Sequence, residues 1–162
     1  MTACITETTP QGSNEAMSKL IVIVAGKNPI QRARMSRMLS DGAVTIETTG
    51  SAARLMEMLL HGGPAIVVLN DGLEEGLSFA HLVPLLKSCN SRATIILATD
   101  DVSHAEELCI RQQGVFYRTN QPACAEGWDE LKLAVDCACN SALFANGPFH
   151  HRETRQGLGN PY

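Results

Sequence analysis

Leu20-Ile21-Val22-Ile23-Val24, leading directly into Ala25-Gly26-Lys27-Asn28-Pro29-Ile30-Gln31, is the stretch on which the fold turns. The first five residues form an unbroken, largely β-branched apolar run, the signature of a strand covered on both faces. Asn28 then has the side chain of an N-cap, Pro29 suits the first helical position, and Gln31 sits where a capping box is closed. A buried strand therefore passes straight into a helix, which reaches about Ser40.

The same alternation repeats down the chain. Val44-Thr45-Ile46-Glu47 makes a shorter strand. Ser51 caps a second helix in which Ala52, Leu55, Met56, Leu59 and Leu60 share a stripe, and Gly62-Gly63 stop it. Ala65 to Leu69 is another fully apolar strand. A third helix runs to about Ser88, with Pro84 predicting either a kink or a new start, because it lacks an N–H and crowds the preceding turn. Thr94 to Ala98 is a fourth strand, and Ser103-His104-Ala105-Glu106 reads as a capping box for a fourth helix ending before Gly114. Val115 to Arg118 is a short fifth strand, and Pro122 separates it from a last amphipathic helix over about Trp128 to Ala142. Five strands alternating with five helices predict an α/β, doubly wound parallel sheet with helices on both faces. Chemistry on such a sheet belongs at the carboxyl ends of the strands.

Composition limits what that chemistry can be. Hydrophobic residues make up 44% of the 162 and aromatics only 4%, so the core is aliphatic, and one domain is the expected size. The formal net charge of -4 provides no cationic excess for a phosphate backbone, which argues against nucleic acid as a partner. No apolar run approaches the length of a membrane span, and the polar start Met1 to Ser18 lacks the blocks of a secretory signal. A cytoplasmic location and reduced cysteines follow as expectations. Cys137 and Cys139 stand two apart on a helix and point about 200° apart, so no metal site is expected there. The five histidines are scattered with no nucleophile at a recognisable spacing, and Met35, Met38, Met56 and Met58 read as core filling. Residues 1-18 are expected to be an extension ahead of the domain at 19-142, with 143-162 a flexible tail.

In order and spacing, residues Lys19 to Ala142 resemble the receiver domains of bacterial two-component response regulators, a flavodoxin-like architecture. The match is positional. The strand ending at Val24 leads into the places of the metal-binding acidic pair, here Ala25 and Gly26. The strand ending at Leu69 leads into the place of the phospho-acceptor aspartate, here Asn70. Thr99 keeps the hydroxyl position, Gln121 stands for the lysine before Pro122, and Gly76 matches the glycine after the acceptor loop, with one residue missing before it. The resemblance implies a signalling domain. Its degenerate site implies one that neither holds Mg²⁺ nor takes a phosphoryl group, since an amide replaces the nucleophile and the metal's carboxylates are absent.

Further residues bear on that site. Asp71 is a candidate displaced acceptor for a phosphorelay, although strand alternation predicts that it aims away from Asn70. Lys27 could place its ammonium on Asp71, Glu74 or Asp100 and so substitute for the metal's charge. Arg118 occupies the position where the resemblance implies a switching aromatic. With Tyr117 and the fourth and last helices, it marks a face for another signalling protein or a second copy of the chain. A third reading, a nucleotide- or flavin-binding module, rests only on Gly26-Lys27, because no complete phosphate-loop motif is present. The preferred expectation is a non-enzymatic pseudo-receiver that uses no cofactor and works through protein contacts.

Overall fold

The computed structural model describes residues 20–41, 44–100 and 102–145. Within them the chain forms β1 (Ile21–Ala25), α1 (Pro29–Leu39), β2 (Thr45–Thr49), α2 (Ala52–His61), β3 (Ala65–Leu69), α3 (Phe79–Cys89), β4 (Thr94–Ala98), α4 (His104–Gln112), β5 (Tyr117–Thr119) and α5 (Ala125–Ala145). The sheet is five-stranded and parallel, in the order β2-β1-β3-β4-β5. The chain leaves β1 toward β2 and then crosses back to β3, so the order reverses between β1 and β3. That is where an open parallel sheet forms its crevice.

The apolar runs are buried as their composition requires. β3 is covered along its whole length. Ile23, Val67, Ile95 and Leu97 pack under α2, α3 and α4; Val22, Val24, Ile66, Val68 and Ile96 pack under α1 and α5. Alternate residues of each central strand thus feed opposite cores, which explains the absence of polar alternation in their sequences. Met35 is fully buried, and Met38, Met56 and Met58 pack at the margins of these cores.

Several local expectations change. Leu60 is 62% exposed, because α2 is buried through Ala52, Leu55 and Leu59 and residue 60 turns outward. β2 and β5 each begin later than their apolar residues suggest. α5 begins at Ala125, with Gly127 so close to Pro122 that a Cβ there would lie 3.3 Å from the proline Cα, and it continues to Ala145. Residues 143–145 are therefore helix. Residues 1–19 and 146–162, with the extension and tail expected there, lie outside the described residues.

Pro84 lies inside an uninterrupted α3. A proline at 84 has no N–H for the carbonyl of Ala80, four residues earlier. Gln113 Nε2, at the end of α4, donates to that carbonyl at 2.8 Å, and Glu106 of α4 accepts from the Ala80 N–H at 3.3 Å. The defect is mended by the neighbouring helix. Glu106 therefore does not close its own capping box; Ser103 Oγ alone caps α4, accepting from the Glu106 N–H.

Candidate functional site

The crevice is built from the ends of β1 and β3. Ala25 and Leu69 are in register, the Asn70 N–H donates to the Ala25 carbonyl at 3.0 Å, and the Gly26 N–H donates to Thr49 at the end of β2. Ala25, Asn70 and Thr99 are buried at the carboxyl ends of β1, β3 and β4. Gln121 is held separately: its N–H donates to Asp100 Oδ1 at 3.2 Å, which ties the loop after β5 to the loop after β4. It borders an open cavity of about 460 Å³ with Arg118, Asn120 and Cys124.

Asp71 corrects one expectation. It lies two residues past the end of β3, where strand alternation no longer governs direction, and its carboxylate turns into the site. Oδ1 accepts from the Lys27 N–H and Oδ2 accepts from the Asn28 N–H at 3.3 Å. Gly26 makes this approach possible: a Cβ there would lie 2.5 Å from Asn70 Oδ1 and 2.6 Å from Asp71 Oδ1. Lys27 corrects another. Its ammonium reaches Glu75, at 3.8 Å between two well-exposed side chains, and none of the three acids expected; a contact so long and solvated contributes little.

Arg32 and Gln31, which no motif or spacing assigns to the site, complete it. Arg32 Nη1 donates to the Gly26 carbonyl and, at 3.1 Å, to the Lys27 carbonyl. Gly50 opposite leaves room for the guanidinium, whose Nη1 would be only 2.6 Å from a Cβ at that position. Asn28 caps α1 as expected, accepting from the N–H groups of Ile30 and Gln31. The Gln31 side chain reaches Asn70, accepting from Nδ2 at 3.4 Å, and so leaves the capping box open. Asn70 Oδ1 is buried with no partner.

These residues do not fit a Mg²⁺ site. Among the described residues, Asp71 is the one carboxylate turned into this crevice, both of its oxygens are engaged by backbone N–H groups, and the adjacent carbonyl is held by a cation. Mg²⁺ keeps several of its waters but still relies on one or two carboxylates with oxygens free to ligate it.

On the other side of the sheet, the expected partner residues are pinned within the chain. Arg118 Nη1 pairs with Glu107 Oε1 at 2.8 Å, and Arg111 Nη2 reaches the same oxygen at 3.0 Å. Desolvation alone would raise the Glu107 pKa, but the two guanidinium groups outweigh it and hold the carboxyl below its ordinary range. The Tyr117 hydroxyl donates to Glu130 of α5 at 2.8 Å, and that bond, with some desolvation, pushes the phenol pKa up. Arg118 is thus neither a solvated side chain nor a free contact, but a staple between β5 and α4. Leu108, Phe116 and Tyr117 are the exposed apolar groups around it.

A doubly wound sheet in this strand order, with its loops gathered at the β1/β3 crevice, is the architecture of receiver domains, and solved structures bear this out. The signal receiver domain of an HD domain-containing protein from Pseudomonas fluorescens Pf-5 matches with a TM-score of 0.68 at 16% identity, over 78% of this chain and 98% of that one. A response regulator receiver protein from Pseudomonas putida matches at 0.64 and 15% identity, over 74% and 97%. The beryllofluoride-activated NtrC4 receiver domain dimer matches at 0.64 and 14% identity, over 75% and 98%. No family model and no curated protein matches the sequence. The chain therefore has the receiver fold. No helix among the described residues is long and apolar enough to cross a membrane.

Proposed function

We propose that this chain is a phosphorylation-independent receiver-like signalling domain, without enzymatic activity, that acts by binding another signalling protein. The observation that carries the reading is the latch at the crevice. Asp71 holds two N–H groups of the β1–α1 loop, and Arg32 holds two of its carbonyls. In a phospho-switch, a metal and an acyl phosphate would supply the charges that set these loops. Here a carboxylate and a guanidinium from the chain itself occupy those roles, so one loop arrangement is favoured without a ligand. The α4–β5–α5 face, with Tyr117 and Arg118 stapled to its two helices, is the surface we assign to the partner.

Incubation with acetyl phosphate and Mg²⁺ followed by intact-mass measurement tests the reading. The mass should not change, and partner capture from the native host should be equal before and after treatment. Arg118→Ala and Tyr117→Ala should weaken capture while leaving the melting temperature nearly unchanged. A gain of one phosphoryl group that disappears in Asp71→Asn would replace this reading with a phosphorelay acceptor at Asp71. That second reading is favoured by one feature, the inward turn of the Asp71 carboxylate.

A further inference from the structure

α1 and α5 lie side by side over one core. Both follow parallel strands and so run in the same direction, and Arg34 stacks over Trp128 at 5.3 Å to join them. Their outward surfaces carry opposite charge. α1 contains Arg32, Arg34 and Arg37 and no acid; α5 contains Glu126, Asp129, Glu130 and Asp136 against the single Lys132. Arg32 is committed to the crevice and Glu130 to Tyr117. That leaves Arg37 on one helix and Glu126, Asp129 and Asp136 on the other, all exposed and none in an ion pair among the described residues. Each helix also exposes a large aliphatic group, Ile30 at 78% and Leu133 at 65%. An open groove of about 490 Å³ runs along α1 past Ile30 and Arg37.

We propose that this face binds a second copy of the chain, with α1 of each copy against α5 of the other. A twofold axis parallel to the two helices, above the furrow between them, places both pairs in contact at once and closes the assembly at two copies. Charge selects this arrangement: α1 on α1 would set arginine against arginine, and α5 on α5 acid against acid. An unrelated acidic helix would satisfy α1 and leave the α5 acids uncovered, whereas a second copy satisfies both. The eleven residues of α1 give a shared strip about 16 Å long. Such a contact is small, so the dimer is weak and sensitive to salt. This face shares α5 with the one assigned to the signalling partner but uses Asp129 and Asp136 in place of Glu130, and its test is independent of phosphorylation.

Sedimentation velocity on the full chain, over a concentration series in low and high salt, reads the equilibrium directly. A monomer–dimer equilibrium that weakens in high salt is expected. Arg37→Glu should raise the dissociation constant about tenfold or more, as should Asp129→Arg combined with Asp136→Arg, and the variant carrying all three changes should recover dimerisation. Circular dichroism and melting curves confirm that each variant is folded. A chain that stays monomeric in low salt at every concentration overturns the proposal. So does a dimer indifferent to the charge reversals, a folded triple variant that remains monomeric, or a dimer abolished instead by Leu108→Glu, which would move it to the α4–β5–α5 face.

Discussion

The crevice between β1 and β3 and the α4–β5–α5 side are both held by charged side chains, but in different ways. At the crevice, Asp71 and Arg32 grip main-chain N–H and C=O groups close to the buried Asn70, and glycines at 26 and 50 admit them. On the other side, Glu107, Arg111 and Arg118 grip one another at the surface. A side chain bound to backbone fixes the course of the loop itself, and its loss leaves polar main chain without partners. A surface ion pair fixes only two flexible side chains, and water takes over when it breaks. The two regions therefore differ in what they contribute: the crevice contributes stability and a fixed loop shape, while the staples tune a face.

The largest effects should come from the crevice. Gly26→Ala forces a methyl group against Asn70 and Asp71, and since Asn70 is fully buried, Asp71 must give way and the latch opens. We expect a loss of about 1–3 kcal/mol, or roughly 2–4 °C in melting temperature per kcal/mol, in denaturant and thermal unfolding. Asp71→Ala removes the acceptor of two N–H groups while adding no bulk. It should cost about 1–2 kcal/mol and accelerate hydrogen exchange at the Lys27 and Asn28 amides specifically. Equal exchange at those amides before and after substitution would show that the loop does not depend on the latch.

This division also explains what could be read from sequence. The strands, the helix caps at Asn28 and Ser51, and the strand-end positions of Ala25, Asn70 and Thr99 follow from runs, periods and spacing, which are local properties. The latch does not. Strand alternation puts Asp71 on the wrong side, because the strand ends at Leu69 and alternation stops with it. Arg32 reaches the crevice across a turn of helix, and Gly50 acquires its meaning only when β2 is laid beside β1. Such roles belong to side chains brought together by topology, and no spacing along the chain encodes them. Pro84 is the same case: a strand-and-helix reading sees a helix breaker, while its repair by Gln113 comes from 29 positions further along the chain.

That repair provides an intermediate test. Gln113→Ala leaves the Ala80 carbonyl without a donor and should cost about 1 kcal/mol. In a Pro84→Ala background, residue 84 supplies its own N–H to that carbonyl, so the same Gln113→Ala change should cost measurably less. A double-mutant cycle on chemical unfolding isolates the difference. Additive effects would mean that Gln113 contributes through packing between α3 and α4, not through the carbonyl.

The staple on the opposite side should give the smallest change, and the direction of its pH dependence follows from Glu107. The folded-state pKa of Glu107 is lowered, so its pairing with Arg118 is complete above the ordinary carboxylate range and is lost as the pH falls through the folded value. Glu107 keeps 21% of its side chain exposed, so water can take its partner's place, melting curves should show only a small loss, and Glu107→Gln should likewise change stability little. The Arg118 Nε proton, buried and without a partner inside the staple, should register it clearly. Followed by NMR at neutral pH, its exchange with solvent should be faster in Glu107→Gln than in the native chain, while the Lys27 amide in the latch is equally protected in both. If the Lys27 amide opened together with Arg118, the two regions would form one cooperative unit, and the face could be driven from the crevice after all.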